Sequence, residues 1–123
     1  MKRHGFAFHA KEWMEFVVVR AEKYAASAVV ISADFTSRPG RLGTPKVYLL
    51  VGSNEFHQGL PDGFDLDEVL NLLLSAEGVL SPYTGTNGID ISFRAKIGQR
   101  DLQSVFRSTI NGIELVLHLP AFR

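Results

Sequence analysis

The last third of the chain alternates between apolar and polar residues with a period of two, and this pattern constrains the fold more than any other feature. Ile89, Ile91, Phe93, Ala95 and Ile97 interleave with Asp90, Ser92, Arg94 and Lys96. That period puts every second side chain on one face of a half-buried strand. A turn is expected at residues 98–101, followed by a second run, LQSVFRSTI, then Asn111-Gly112, then IELVLHL. Asn-Gly between two apolar runs signals a tight hairpin, because both residues tolerate positive φ. A two-residue turn there pairs Ile110 with Ile113, Thr109 with Glu114 and Phe106 with Leu117. It places Leu102, Phe106, Ile110, Ile113, Leu115, Leu117 and Leu119 on one face. The competing reading makes residues 99–110 a third helix stopped by Gly112. Ser104, Val105, Phe106, Ser108 and Thr109 are mediocre helix formers, which favours the strand.

Two helices are expected upstream. In residues 10–26, Trp13, Phe16, Val17, Ala21 and Tyr24, followed by Ala28, keep the three-four spacing of an inward face, with Lys11, Glu12, Glu15, Glu22 and Lys23 on the other side. The Val17-Val18-Val19 run opposes this, since β-branched residues favour strands. A short strand at residues 6–8 is expected to precede the helix. Residues 65–77 carry the second helix. Asp65 is its cap, Glu68 completes a capping box, Phe64 and Val69 form a hydrophobic staple, and Gly78 terminates it. Its leucines cover most of the circumference, so it requires cover on more than one side. Residues 28–35 and 46–52 read as strands joined by a loop rich in Pro, Gly and Arg. The expected fold is α+β, in the order α-β-β-α-β-β-β, with a mostly antiparallel sheet and two helices on one face. At 123 residues the chain fits a single domain covering residues 1–123.

Composition excludes several classes. With 46% apolar and 21% charged residues, the chain is not of disordered type. It has no cysteine, so it holds neither disulfides nor thiolate metal sites. No apolar run approaches the roughly 20 residues of a membrane span, and His4, His9, Lys11 and Glu12 interrupt any signal-peptide core. A cytoplasmic protein without membrane attachment is the expectation. The phosphate-loop Lys-Ser/Thr pair, the dinucleotide glycine fingerprint, the His-Glu-x-x-His helix and the nucleophile elbow are all missing. The motifs therefore argue against catalysis, and no cofactor or metal is expected.

Net charge is zero but unevenly spread. Residues 1–46 hold eight bases against four acids, residues 47–90 seven acids and no Lys or Arg, and residues 91–123 five bases against two acids. The middle segment includes SNEFHQGLPDGF, a Gly/Pro-containing stretch expected to be a loop that exposes Phe56, Leu60 and Phe64 among Glu55, Asp62, Asp67 and Glu68. Carboxylates around a few apolar anchors suit a basic protein partner. The favoured expectation is a small non-catalytic interaction domain, of immunity, inhibitor or adaptor type, that binds such a partner through these seven residues. A second reading is nucleic-acid or phosphate binding through the basic loop of Arg38, Arg41 and Lys46, flanked by Arg94, Lys96, Arg100 and Arg107. The neutral balance makes this the weaker of the two. A third is a small metal-dependent hydrolase using Glu55, His57 and His118. The oligomeric state is not set by the sequence.

Overall fold

The computed structural model describes residues 8–36, 42–74 and 89–120. Element order is α1 (Ala10–Lys23), β1 (Ala28–Asp34), β2 (Lys46–Val51), β3 (Asn54–Gln58), α2 (Leu66–Leu74), β4 (Ile89–Ile97), β5 (Arg100–Ser108) and β6 (Gly112–His118). The strands form one sheet in the order β3-β2-β1-β6-β5-β4, and every neighbouring pair is antiparallel. The α+β class and the two helices over an antiparallel sheet are as the periodicities predict. Gly78, the two loop arginines Arg38 and Arg41, and residues 6–7 lie outside the described residues.

Residues 100–108 form a strand, not a helix. Leu102, Ser104, Phe106 and Ser108 alternate inward with period two. The β4–β5 turn is tighter than expected: Ile97 pairs with Arg100, leaving Gly98 and Gln99 as its tip, with Gly98 at φ 63°. The β5–β6 register differs by two residues from the sequence reading. Ser108 pairs with Ile113, Phe106 with Leu115 and Ser104 with Leu117. Beyond the Ser108–Ile113 pair the Thr109 N–H donates to the Gly112 carbonyl (2.9 Å) and the Asn111 N–H to Thr109 Oγ1 (3.1 Å), so the tip lies at Ile110-Asn111 instead of Asn111-Gly112. A shift of two preserves facing, so Phe106, Leu115 and Leu117 stay inside. Ile110 moves to the loop tip and is 72% exposed.

β3 is an addition to the expected elements. The Gly/Pro-containing composition of residues 53–64 suggested a loop throughout. Yet a two-residue turn at Gly52-Ser53 returns the chain antiparallel along β2, and Val51 pairs with Asn54. Gly52 supplies the positive φ of 62° that this turn needs.

The core lies on one side of the sheet. Val29, Ile31 and Ala33 of β1, Val47 and Leu49 of β2, Ile113, Leu115 and Leu117 of β6, Leu102 and Phe106 of β5, and Phe93, Ala95 and Ile97 of β4 are buried there beneath both helices. α1 presents a different stripe from the expected one. Ala10, Met14, Val17, Val18 and Ala21 face inward, whereas Phe16 and Tyr24 are exposed. Both stripes satisfy the 3.6 period. Smaller side chains allow the helix to lie closer to the sheet, and that selects between them. From α2, Leu66, Val69, Leu70, Leu73 and Leu74 are buried. A bidentate pair from Arg100 to Glu22 (2.6 and 2.8 Å) fixes the end of α1 to the start of β5.

Gly112 opens β6 opposite Asp34, and a Cβ at this position would sit 2.2 Å from the Ala33 carbonyl oxygen. Nothing lies within 4 Å of a Cβ built on Gly52. Gly112→Ala is therefore expected to lower stability by about 2–3 kcal/mol, and Gly52→Ala by about 1 kcal/mol, as measured by chemical denaturation.

Candidate functional site

The acidic segment folds into β3, the loop after it and the first turns of α2. From residue 54 to residue 74 it carries Glu55, Asp62, Asp65, Asp67 and Glu68 and no Lys or Arg, and all five carboxylates are exposed. None of Asp62, Asp65, Asp67 or Glu68 forms an ion pair with Lys or Arg among the described residues. Among the described residues, three bases of the C-terminal segment pair with other carboxylates: Arg100 with Glu22, Arg107 with Asp90 and Glu114, and Lys96 with Asp101.

Two of the carboxylates have local structural work. Asp65 Oδ1 accepts the Glu68 N–H at 3.3 Å and caps α2. The reciprocal half of the expected capping box is replaced by a longer reach. His9 offers α1 no side-chain cap, and Glu68 Oε2 accepts the Ala10 N–H at 3.2 Å. A carboxylate at this position also suits the positive end of the α1 dipole. Among the described residues, Asp62 and Asp67 carry no such bond, and both are exposed.

The expected apolar anchors divide. Phe56 is half exposed, in the middle of β3. Leu60 and Phe64 are not exposed anchors, because both pack against the core. Phe64 sits edge-on to Trp13 (4.9 Å between ring centroids) and to Phe8 (5.2 Å), so the start of α2 is stapled to the start of α1.

β3 is the outermost strand of the sheet on its side, and among the described residues no further strand pairs with its outer side. Its pleat separates residues the sequence had grouped. Phe56 lies opposite Leu49 and shares the helix-covered side, whereas Glu55 and His57 lie opposite Leu50 and Tyr48 on the other side, called helix-free because no helix among the described residues lies on it. Glu55 Oε1 and His57 Nε2 are 3.2 Å apart. His118, across the sheet on β6, does not join them. Two strands, β2 and β1, stand between, a separation of roughly 14 Å at the usual strand spacing. Among the described residues no three His, Cys, Asp or Glu side chains gather in a way that would hold a metal ion.

The basic side is similarly dispersed. Lys46 is exposed at the start of β2, beside a cleft of about 260 Å³ lined by Ser32, Asp34, Thr36 and Thr44. Asp34 places a carboxylate in that lining, which opposes phosphate. Arg94, Lys96 and Arg107 lie on the helix-free side, and Arg100 is held by Glu22.

The helix-free side bears an apolar row absent from the sequence reading. Tyr48, Val30, Val116 and Val105 lie side by side across β2, β1, β6 and β5. Ala28 and Val30 are buried yet stand outside the helix-covered core. Tyr48 packs against His57 at 5.1 Å between ring centroids. Burial, followed by the carboxylates of Glu55 and Glu114, raises the Tyr48 pKa above 10.0.

Among the described residues no helix is long and apolar enough to cross a membrane. No protein-family model and no curated protein sequence matches the chain. Among solved structures, the chain resembles the Legionella pneumophila ATPase DotB, with a TM-score of 0.56 and 15% identity over 98% of this chain. The chain spans 31% of the length of that ATPase. This likeness is one of fold alone.

Because the phenol is harder to ionise in the folded state than in the unfolded chain, its stabilising contribution is complete below pH 10 and is lost as pH rises above it. Denaturation followed against pH is expected to show a steeper alkaline loss of stability in the wild type than in Tyr48→Phe.

Proposed function

We propose that the chain is a non-catalytic protein-interaction domain that receives a basic, extended segment of its partner along the free side of β3. The observation that carries this reading is the half-exposed Phe56 on a strand whose outer side is unpaired among the described residues, flanked by carboxylates that no described Lys or Arg pairs with. An outer strand presents a row of N–H and C=O groups that an extended peptide completes by strand addition. Alternate side chains of the added strand then fall on the two sides of the sheet. One set meets Phe56, and the other meets Glu55 and His57. Asp62 and Asp67 supply a negative field that steers a cationic segment towards the strand. Roles of immunity, inhibitor or adaptor type use this kind of recognition. A cytoplasmic setting fits the reading.

The test uses a peptide of alternating Lys and Val residues, with a Glu-for-Lys version as control, added to isotope-labelled protein. Amide shifts are expected to centre on β3 with the basic peptide and to be absent with the acidic one. The Asp62→Lys, Asp67→Lys double variant should weaken binding about tenfold at low salt and little at high salt. Equal shifts from both peptides, or shifts centred away from β3, would contradict the proposal.

A further inference from the structure

We infer that a second copy of this chain docks on the helix-free side of the sheet, related by a two-fold axis that runs along the strands between β1 and β6. This inference does not rest on the strand-addition reading, and its surface shares only Glu55 and His57 with that one.

Three parallel rows of side chains cross that surface. The middle row is the apolar one, His57, Tyr48, Val30, Val116, Val105 and Ser92. One flanking row contains Glu55, Leu50, Ala28, His118, Gln103 and Arg94; the other contains Lys46, Ser32, Glu114, Arg107 and Asp90. The strand order places three strands on each side of the β1–β6 seam. The proposed axis therefore sets β3 over β4, β2 over β5 and β1 over β6 of the other copy. Tyr48 then covers Val105, and Val30, already buried within its own sheet, lies over Val116, so apolar meets apolar at the four central positions while His57 lies over Ser92 at the ends.

The charges select this axis. Glu55, whose ion-pair contact is with His57, and Arg94, which has no ion pair among the described residues, occupy the same row at opposite ends. The axis brings each onto the other, twice per dimer. Lys46, also without an ion pair among the described residues, arrives over Arg107. That guanidinium already lies between Asp90 (3.2 Å) and Glu114 (3.5 Å), so the trio has one carboxylate in excess. An axis across the strands would instead leave Glu55 without a counter-charge and seat Lys46 on Leu50. The usual angle of about 30° between packed sheets moves the row ends by a few ångströms, within the span of an arginine side chain.

Six strands about 4.8 Å apart and three rows deep give roughly 550 Å² per copy. The total of roughly 1,100 Å² sits at the lower end of specific interfaces, and a weak, reversible dimer follows.

Sedimentation equilibrium of the full chain at low salt tests this across the micromolar range. The wild type should associate to a dimer. Glu55→Arg and Arg94→Glu should each weaken association about tenfold or more, because like charges then meet twice. The double variant should restore wild-type association. Both substitutions are at exposed positions, and circular dichroism checks that each of the three variants is folded. A wild type that is monomeric throughout, a dimer indifferent to both single changes, or a double variant that fails to recover would each overturn the inference. The readout is mass, and Arg94 lies off β3, so failure here is distinct from failure of peptide binding.

Discussion

The pairing of β1 with β6 is the contact on which the rest of the structure depends. It joins seven residue pairs, from Ala28↔His118 to Asp34↔Gly112, between segments far apart in the chain. On either side of it lies a three-stranded meander built from local hairpins: β1, β2 and β3 on one side, β4, β5 and β6 on the other. A three-stranded meander alone buries little, and a sheet needs a covered face to be stable. The seam aligns Val29 with Leu117, Ile31 with Leu115 and Ala33 with Ile113, making one continuous floor for the two helices. Gly112 is required because the backbone at Ala33 passes too close for any side chain.

Much of this was legible in the residues. The period of two in residues 89–97 and the turn chemistry of Asn111-Gly112 specify a C-terminal antiparallel meander. Asp65, Val69 and the leucines that follow specify α2. What was not legible has physical causes. α1 carries two overlapping apolar stripes that share Val17 and Ala21, and contact distance to the sheet decided between them. β3 was hidden because its residues, NEFHQ, are almost wholly exposed and carry no hydrophobic alternation. They are held by backbone pairing to β2. The two-residue shift in the β5–β6 hairpin moves its tip to Ile110-Asn111 and leaves Gly112 in β6 opposite Asp34, at the close approach to β1 that admits no side chain.

The candidate surface illustrates the same division. The concentration of acid between β3 and α2 could be counted from the sequence, and among the described residues no Lys or Arg pairs with it, Arg100 and Arg107 being engaged by other carboxylates. The division of Glu55 from Phe56 could not be counted, since it depends on where the pleat begins. Phe64 was lost as an anchor to Trp13 and Phe8, two aromatics that local spacing could not bring to it. Glu68 spans from one helix to the start of another, a contact 58 residues apart in sequence. The outer strand keeps only Phe56 as an apolar anchor. The helix-free side emerges as a second surface because rows of residues from five or six strands become continuous only in the assembled sheet.

If the β1–β6 seam unites the two meanders, they must unfold together, and native-state hydrogen exchange measures this most directly. The slowest amides are expected in β1 and β6, exchanging only through global unfolding, with β3 opening earlier. Seam amides that exchange as fast as those of β3, or two meanders that unfold in separate transitions, would contradict the account.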